Sequence, residues 1–319
     1  MQQAGIAAEG LDLERLERDS AATLDTVDLG RRRGQWEMTW RRFRRHKPAV
    51  AGIAILLVMF AVAIFAPIVA PYDPNYQDRL LARFGEPAAP SLAHPFGSDN
   101  LGRDYLSRVI YGSRVSLTIG FLSTGLSIIV GAGLGAIAGY AGRWQDLLIM
   151  RCADVLLAFP PLLFLLAALS TFQSRGIAVL SLVIGVIGWM NVARLVRGEF
   201  LTLRTREYTE AARAVGASAP SIILKELMPN ALGPLIVAAT LAIPGAILLE
   251  STLSFLGYGI QPPTASWGNM LNRAFQEMRE SGAWWIGVFP GLMIALAVLA
   301  FNFVGDGLRD ALDPRSRLE

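Results

Sequence analysis

The sequence predicts an all-α polytopic membrane protein with six transmembrane helices. Of its 319 residues, 53% are hydrophobic and only 17% are charged, a balance more apolar than soluble globular proteins show. Apolar runs of about 20 residues, the length that a helix needs to cross the hydrocarbon core, recur along the chain. Backbone groups in lipid must pair within their own segment, so we expect these runs to be helices.

The six apolar spans lie at about 49–71, 115–140, 147–171, 177–195, 233–258 and 284–305. A basic cluster precedes the first span, and such clusters normally remain in the cytosol: Arg41, Arg42, Arg44, Arg45 and Lys47. An even number of spans then predicts that both termini are cytosolic. A basic run can also bind nucleic acid, but the apolar span directly after this one favours the topological interpretation, and we expect no nucleic-acid partner.

The predicted organisation begins with a cytosolic tail, because residues 1–35 contain no apolar core of signal-peptide type. Trp36, Trp40 and Phe43 alternate with the arginines, a pattern typical of an amphipathic helix in contact with membrane lipid. The predicted segments are an interfacial helix at 36–47, the first transmembrane helix at 48–72, an external loop at 73–113, a five-helix core at 114–308 with a cytosolic loop at 200–232, and a cytosolic tail at 309–319.

Small residues and prolines predict details of the bundle. Gly131, Gly135 and Gly139 recur every four residues in the second span, which favours close approach of a neighbouring helix. The pairs Pro160–Pro161 and Pro244–Gly245 are expected to bend the third and fifth spans, since proline removes an intrahelical hydrogen bond.

Residue counts exclude several kinds of chemistry. Cys152 is the only cysteine, and the two histidines, His46 and His94, are far apart, so no metal site is expected. Neither Lys47 nor Lys225 follows the glycine-rich spacing that holds nucleotide phosphates. A membrane-embedded enzyme would need a nucleophile with a base, and no span contains a histidine. We therefore predict that this chain is not an enzyme and binds no cofactor.

The cytosolic segment between the fourth and fifth spans predicts two short helices. Residues 207–215 favour a helix that ends at Gly216. Ser218 is expected to cap a second helix, with Pro220 in its first turn and Pro229 at its end. Alanines on the first helix leave a low surface on which another protein can dock, although a plain surface hairpin would show the same pattern.

This segment resembles the EAA loop of ABC importer permeases. The match consists of Glu210-Ala211-Ala212, three further residues, Gly216, twelve further residues and Pro229. The family usually has Ile-Leu before the proline, where this chain has Leu227-Met228. The resemblance implies that the loop couples the subunit to an ATPase and that the coupling residues are Glu210, Ala211, Ala212, Arg213, Gly216 and Pro229.

Further stretches are similar to one branch of that family, the second (C-type) permease subunit of dipeptide, oligopeptide and nickel importers. They lie at 65–74, 96–104, 254–263, 267–271 and 302–310. The resemblance implies the type I importer permease fold in the bacterial inner membrane. It also implies a homologous partner permease, two ABC ATPase subunits or domains that bind ATP and Mg, and an extracytoplasmic solute-binding protein. External residues expected to face that protein are Asp99, Arg103, Asp104, Gln261, Trp267 and Asn269.

Glu250 and Asn191 are the candidates for the translocation path. A carboxyl group within a span is costly unless it faces the bundle or a water-filled path, so Glu250 has either a path role or a buried structural one. A self-sufficient secondary carrier remains the alternative function, with Glu250 as its only convincing relay group. The substrate stays open among dipeptides, oligopeptides, glutathione-like conjugates and nickel chelates.

Overall fold

The computed structural model describes residues 35–78, 80–82, 85–172 and 176–312, with side chains described from Thr39 onward. Every named element in these ranges is helical, which confirms the all-α prediction. The helices are α1 (Gln35–Arg45), α2 (Lys47–Ile64), α3 (Ala66–Val69), α4 (Tyr105–Ala141), α5 (Arg143–Ala158), α6 (Pro161–Ser170), α7 (Ile177–Leu203), α8 (Glu207–Ala214), α9 (Ala219–Ile222), α10 (Met228–Phe255), α11 (Trp267–Leu271), α12 (Ala274–Ser281) and α13 (Trp285–Leu312). Residues 1–34 of the predicted tail at 1–35, residues 313–319 of the predicted tail at 309–319, and the side chain of Trp36 lie outside the described residues.

Five helical segments are long and apolar enough to cross a membrane, and a bent pair can supply a sixth span. The five are Lys47–Ile64, Tyr105–Ala141, Ile177–Leu203, Ala219–Phe255 and Trp285–Leu312. The pair is α5 and α6, whose axes meet at 89°. The break falls at Phe159 and Pro160, as predicted from the two prolines, because neither Pro160 nor Pro161 can donate a backbone hydrogen bond.

Three predicted boundaries were wrong. The first transmembrane helix breaks at Phe65, ahead of Pro67. The second begins at Tyr105 rather than near 114, because the Asp104 side chain accepts a hydrogen bond from Ser107 N and caps it. The last continues to Leu312, so the predicted tail at 309–319 begins inside α13. Proline geometry at Pro67 and capping by Asp104 decide the first two boundaries, and hydropathy does not report either feature.

The most extensive helix contact, between α4 and α7, confirms the prediction from the glycine repeat. A β-carbon built on Gly131 would lie 2.7 Å from Trp189 O, and one on Gly135 would lie 2.5 Å from Ala193 O. The backbones of α4 and α7 therefore touch along this face, and only glycine fits there. Gly133, which points away from α7, has no atom within 4 Å of a built β-carbon.

The helix α10 contacts α4, α7 and α13. It continues unbroken through Pro234 and Pro244. The amphipathic helix α1 is present as predicted, but its Phe43 packs into the core against α13 and is buried, whereas Trp40 is exposed. Phe43 thus anchors α1 to the bundle, and Trp40 is left for the membrane surface.

Candidate functional site

The segment between α7 and α10 forms a projecting helical hairpin, which we call the coupling hairpin (residues 204–227). Its first arm, α8, is held to the end of α7 by Thr209, whose buried hydroxyl donates to Leu203 O at 3.0 Å. Arg204 Nη1 donates to Gly139 O at 3.1 Å and so joins the ends of α7 and α4. The base of the hairpin is therefore fixed to both transmembrane helices.

The elbow of the hairpin is a glycine-dependent helix end. Gly216 has a φ of +85°, and its N–H donates to Arg213 O at 2.9 Å. Ala217 N donates to Ala212 O at 3.0 Å. This pair of bonds is the Schellman pattern, which requires a left-handed residue at the position of Gly216. No atom lies within 4 Å of a built β-carbon, so the conformation, not crowding, demands glycine.

The second arm runs directly into the membrane helix. Ser218 occupies the cap position of α9, but its side chain makes no capping hydrogen bond, contrary to the prediction. The prediction that Pro229 closes this helix was also wrong. Residues Ile223–Leu227 form a π-helical turn, and Met228 N bonds to Ile223 O. The helix then continues through Pro229, and Asn230 Nδ2 donates to Glu226 O at 2.6 Å.

Five of the six sequence-predicted coupling residues lie in this hairpin, and Pro229 lies in the first turn of α10. Glu210, Ala211 and Arg213 are exposed, and Ala212 is half-buried against the cluster beneath. The Arg213 guanidinium lies 5.6 Å from the Tyr140 ring centroid. Two apolar side chains extend the same surface, Val215 with 90% and Leu224 with 65% of their area exposed. Such an exposed apolar surface with polar residues around it is suited to docking of a protein.

At the opposite end of α10, Glu250 is fully buried among four serines, which we call the Glu250 cluster: Ser116, Ser251, Ser254 and Ser266. Ser254 Oγ and Ser266 Oγ donate to Oε1 at 2.7 and 2.8 Å. Ser116 Oγ donates to Oε2 at 3.2 Å. Glu250 reaches no surface of this subunit, which favours the buried structural role over a path-lining one, and its place in the translocation path stays a prediction.

Three of these serines also accept backbone hydrogen bonds from the segment between α10 and α12, which the sequence predicts to be external. Ser116 Oγ accepts from Trp267 N at 3.2 Å, Ser254 Oγ from Ile260 N at 3.3 Å and Ser266 Oγ from Asn269 N at 3.2 Å. A backbone N–H can only donate, so each hydroxyl proton is free to point at Glu250. The carboxyl group thereby fixes the external segment to α4 and α10.

Two external segments that are distant in sequence meet around one cleft of about 410 Å³. Four residues that were predicted to face a binding protein line it: Asp99, Arg103, Gln261 and Asn269. Asp104 and Trp267 do not. Both are buried, since Asp104 caps α4 and pairs with His94 Nδ1 at 2.8 Å, and the Trp267 indole donates to Val109 O at 3.2 Å. Their side chains position the segments and are not presented to a partner.

Asn191 lies on the outward side of α7, exposed, opposite the face that touches α4. Charged groups near the inner ends of the spans pair with each other, as Asp146 does with Arg197 (Oδ2 to Nη2, 2.6 Å) and Asp154 with Arg194 (2.6 Å). These ion pairs tie α5 to α7. An exposed amide within a span, by contrast, fits a surface that another chain or water covers.

Comparison with known families shows what kind of protein has the coupling hairpin at one end of α10 and the Glu250 cluster at the other. A sequence profile of the family described as "Binding-protein-dependent transport system inner membrane component" matches residues 131–318, more than half of the chain. The chain belongs to this family. A second profile, "N-terminal TM domain of oligopeptide transport permease C", matches residues 34–93 and confirms the resemblance to C-type permeases. The permease is therefore a multi-pass inner-membrane subunit of an ABC transporter.

Three relatives show how far the similarity extends. The permease is 42% identical to the dipeptide transport system permease protein DppC of Bacillus subtilis over 87% of its own length and 85% of that protein. It is 41% identical to the oligopeptide transport system permease protein OppC of Haemophilus influenzae over 89% and 90%. It is 44% identical to the glutathione transport system permease protein GsiD of Escherichia coli over 89% and 91%.

Sequence analysis missed the four serines of the Glu250 cluster and the residues Arg273 and Glu277 of the cleft. Ser254 follows Glu250 at the helical spacing of four residues, which is visible in the sequence. Ser116 and Ser266, however, reach Glu250 across 134 and 16 residues, and such tertiary contacts have no local signal.

Proposed function

We propose that this permease forms half of the translocation path of an ATP-driven importer for di- or oligopeptides, together with a homologous partner permease. Two ABC ATPase subunits or domains bind ATP and Mg and dock on the coupling hairpin, and an extracytoplasmic solute-binding protein delivers substrate at the other end. The chain itself binds no cofactor and hydrolyses no ATP. The substrate class rests on the names of the relatives, which refer to dipeptide, oligopeptide and glutathione transport.

The observation that carries this proposal is the unbroken connection between the coupling hairpin and the outer end of the bundle. Residues Ala219–Phe255 form one helical segment of 37 residues, about 55 Å long at 1.5 Å per residue. It begins three residues after the Gly216 elbow and contains Glu250 near its far end. Movement of the hairpin by a docked ATPase would therefore displace the Glu250 cluster and the external segment with it.

A transport cycle built on this connection needs two global states that nucleotide binds with different affinity. We infer that ATP-driven closure of the ATPases brings the two coupling hairpins of the permease pair together and opens the path outward. Nucleotide hydrolysis and product release then reset it. The exposed Asn191 on α7 is placed in the path or against the partner permease, where a polar group within a span is satisfied.

The proposed orientation has both termini in the cytosol. The basic helix α1, which contains Arg41, Arg42 and Arg44, lies directly before the first span, and basic residues near span ends favour the cytosolic side. The coupling hairpin, with Arg204, Arg206, Arg213 and Lys225, is then on the same side. Glu250 and the cleft around Asp99 fall on the opposite, external side.

The test is to purify the permease with its native associates in mild detergent and to measure retained ATPase subunit and peptide-stimulated ATP hydrolysis. The variants are Glu210→Ala, which removes an exposed carboxylate from the hairpin, and Gly216→Pro, which cannot adopt a φ of +85°. Gly198→Ala is the matched control, because that glycine on α7 has open space around it and an ordinary helical φ.

We expect both hairpin variants to lose ATPase attachment or stimulation while Gly198→Ala retains both. If no ATPase co-purifies and the hairpin variants still transport, the importer proposal is wrong. Uptake driven by a proton gradient in liposomes that contain the permease alone would establish the carrier instead. The burial of Glu250 among hydroxyl groups argues against that outcome, since a relay carboxyl group must reach water.

A further inference from the structure

The external cleft is a blind cavity. Its floor consists of Tyr105, Met270 and Ile286, which are all buried and belong to one apolar cluster. The Tyr105 hydroxyl closes this floor by donating to Ile286 O at 2.6 Å. Beneath it lie the buried Trp267 and the Glu250 cluster. A molecule held in the cleft could not pass from there into the membrane through this subunit, so the cleft is built for docking and not for passage.

One of the two carboxylates in the cleft is already satisfied. Asp99 Oδ1 accepts from Leu101 N and from Arg103 N, both at 3.0 Å. Asp99 Oδ2 accepts from Arg103 Nε at 2.6 Å. Asp99 and Arg103 therefore neutralise each other, and the pair forms a rigid wall of the cleft.

The remaining charge of the cleft is positive. Arg108 is buried, donates from Nη1 to the neutral Pro74 O at 3.1 Å and lies 3.7 Å from Asp99 Oδ2, which is bonded to Arg103. Arg273 is exposed and has no ion pair with any residue that the structure describes. Three guanidinium groups thus face two carboxylates, Asp99 and Glu277.

The carboxylate of Glu277 only partly compensates the excess positive charge of the cleft. Burial raises its pKa, the neighbouring carboxylates of Glu280 and Asp99 raise it further, and Arg273 acts in the opposite direction. Its negative charge is therefore less favourable than that of an ordinary glutamate. A guanidinium group prefers a carboxylate that accepts two parallel hydrogen bonds.

Building on the proposed function, we propose that this cleft is the socket for an acidic side chain, aspartate or glutamate, on the solute-binding protein. Arg273 at the exposed rim receives the carboxylate, and Arg108 supplies positive charge from the wall. The occupant belongs to a docking protein and not to transported peptide, because the cleft has no exit toward the bundle. A single charged contact of this kind contributes mainly to orientation and to the rate of encounter.

The experiment measures the affinity of the solute-binding protein for the complete transporter in lipid nanodiscs, at low and high salt. We expect Arg273→Glu to weaken binding about tenfold at low salt, with a smaller loss at high salt, as for a screened charge pair. Arg279→Glu makes the same charge change within α12, the helix that Arg273 precedes, but outside the cleft lining, and should leave the affinity within about twofold of wild type. Glu277→Gln, which removes the opposing charge, should strengthen binding.

Equal loss in Arg273→Glu and Arg279→Glu would overturn the proposal, because general attraction between the surfaces would then explain both. Unchanged affinity in both arginine variants would also overturn the proposal. So would weaker binding of the solute-binding protein by Glu277→Gln. Peptide-stimulated ATP hydrolysis without binding protein provides a further arm: if Arg273→Glu alters it, the cleft takes free peptide and the docking proposal is wrong. If the Arg279→Glu transporter retains its ATPase subunits and its peptide-stimulated ATP hydrolysis is normal, the proposed function stands. That conclusion does not depend on how Arg273→Glu changes the affinity for the binding protein.

Discussion

The Glu250 carboxyl group of α10 accepts a hydrogen bond from Ser266 Oγ of the external segment at 2.8 Å, with both side chains fully buried. Ser266 in turn caps α11 by accepting from Asn269 N, and the Asn269 side chain accepts from Ser266 N. One carboxyl group thus holds the first turn of α11 in place. The bond joins the helix that leaves the coupling hairpin to the segment that lines the cleft.

Replacing Glu250 by alanine should destabilise the permease markedly. The hydroxyls of Ser116, Ser254 and Ser266 would lose their acceptor inside the protein, and a buried polar group left unpaired costs about 1–3 kcal/mol. We expect the thermal unfolding temperature of the purified complex to fall by several degrees. Glu250→Gln should have a smaller effect, since its amide keeps one acceptor oxygen.

Ser251→Ala is the control for this prediction. Ser251 lies at the weak edge of the cluster, 3.5 Å from Glu250 Oε2, so its removal should shift the unfolding temperature little. Equal destabilisation by Glu250→Ala and Ser251→Ala would show that the hydrogen bonds of the cluster do not carry the effect.

Gly135→Ala should destabilise the contact between α4 and α7. Its β-carbon would lie 2.5 Å from Ala193 O, so the helices must separate, and overpacking of this kind costs about 1–3 kcal/mol. Gly133→Ala on the same helix meets open space and should be neutral. Thermal unfolding of the two single variants, purified in the same detergent, distinguishes packing from helix propensity, since propensity alone predicts that both are stabilised.

The same helix shows what the sequence could predict and what it could not. Glycines at a four-residue spacing predicted the contact face of α4, because small residues at that spacing have a direct steric consequence. The double proline predicted the 89° break between α5 and α6 for the same reason. The exposed hairpin was predicted from helix formers and a glycine stop. Each of these features depends on residues close together in the chain.

Features that depend on distant residues were missed or placed wrongly. Pro229 was expected to end a helix, but the helical segment continues through it directly after the π-helical turn at Ile223–Leu227. Trp267 and Asp104 were expected at the surface because their segments are external, whereas tertiary contacts bury both. Two partners of Glu250, Ser116 on α4 and Ser266 at the cap of α11, are distant in sequence, and no local pattern reveals them.

Gly216→Ala should uncouple ATP hydrolysis from transport without loss of the folded bundle. A residue with a β-carbon in the left-handed conformation costs about 1–2 kcal/mol, and the strain falls on the elbow alone. Gly216→Asn should restore part of the coupling, because asparagine adopts this conformation more readily than alanine. The measurement is peptide transported per ATP hydrolysed in proteoliposomes. If the alanine and asparagine variants are equally impaired, the backbone conformation of the elbow is not what the coupling requires.

Docking of the solute-binding protein should depend on pH through Glu277. Its pKa is raised, so as pH falls toward the ordinary glutamate range near 4.3, Glu277 gains a proton earlier than an ordinary glutamate and the cleft becomes more positive. Affinity for an acidic side chain should therefore rise as pH falls through that pKa and decline as pH rises through it. The charged and titratable groups around Glu277 are Asp99, Arg103, Tyr105, Arg108, Arg273 and Glu280.

We expect the affinity for the solute-binding protein to rise about threefold as pH falls. One partly exposed charge at short range in a high dielectric has an effect of this size. The measurement is the dissociation constant of the solute-binding protein at constant ionic strength, at pH values above the range in which its own carboxylates gain protons. Glu277→Gln should show the higher affinity at every pH in this range, because it lacks the titrating carboxylate and its affinity should not change with pH. Glu280→Gln should keep the wild-type direction, since it removes only one neighbour that raises the pKa of Glu277. A Glu277→Gln profile that still rises as steeply as wild type would place the titrating group elsewhere, on the partner or on another part of the transporter.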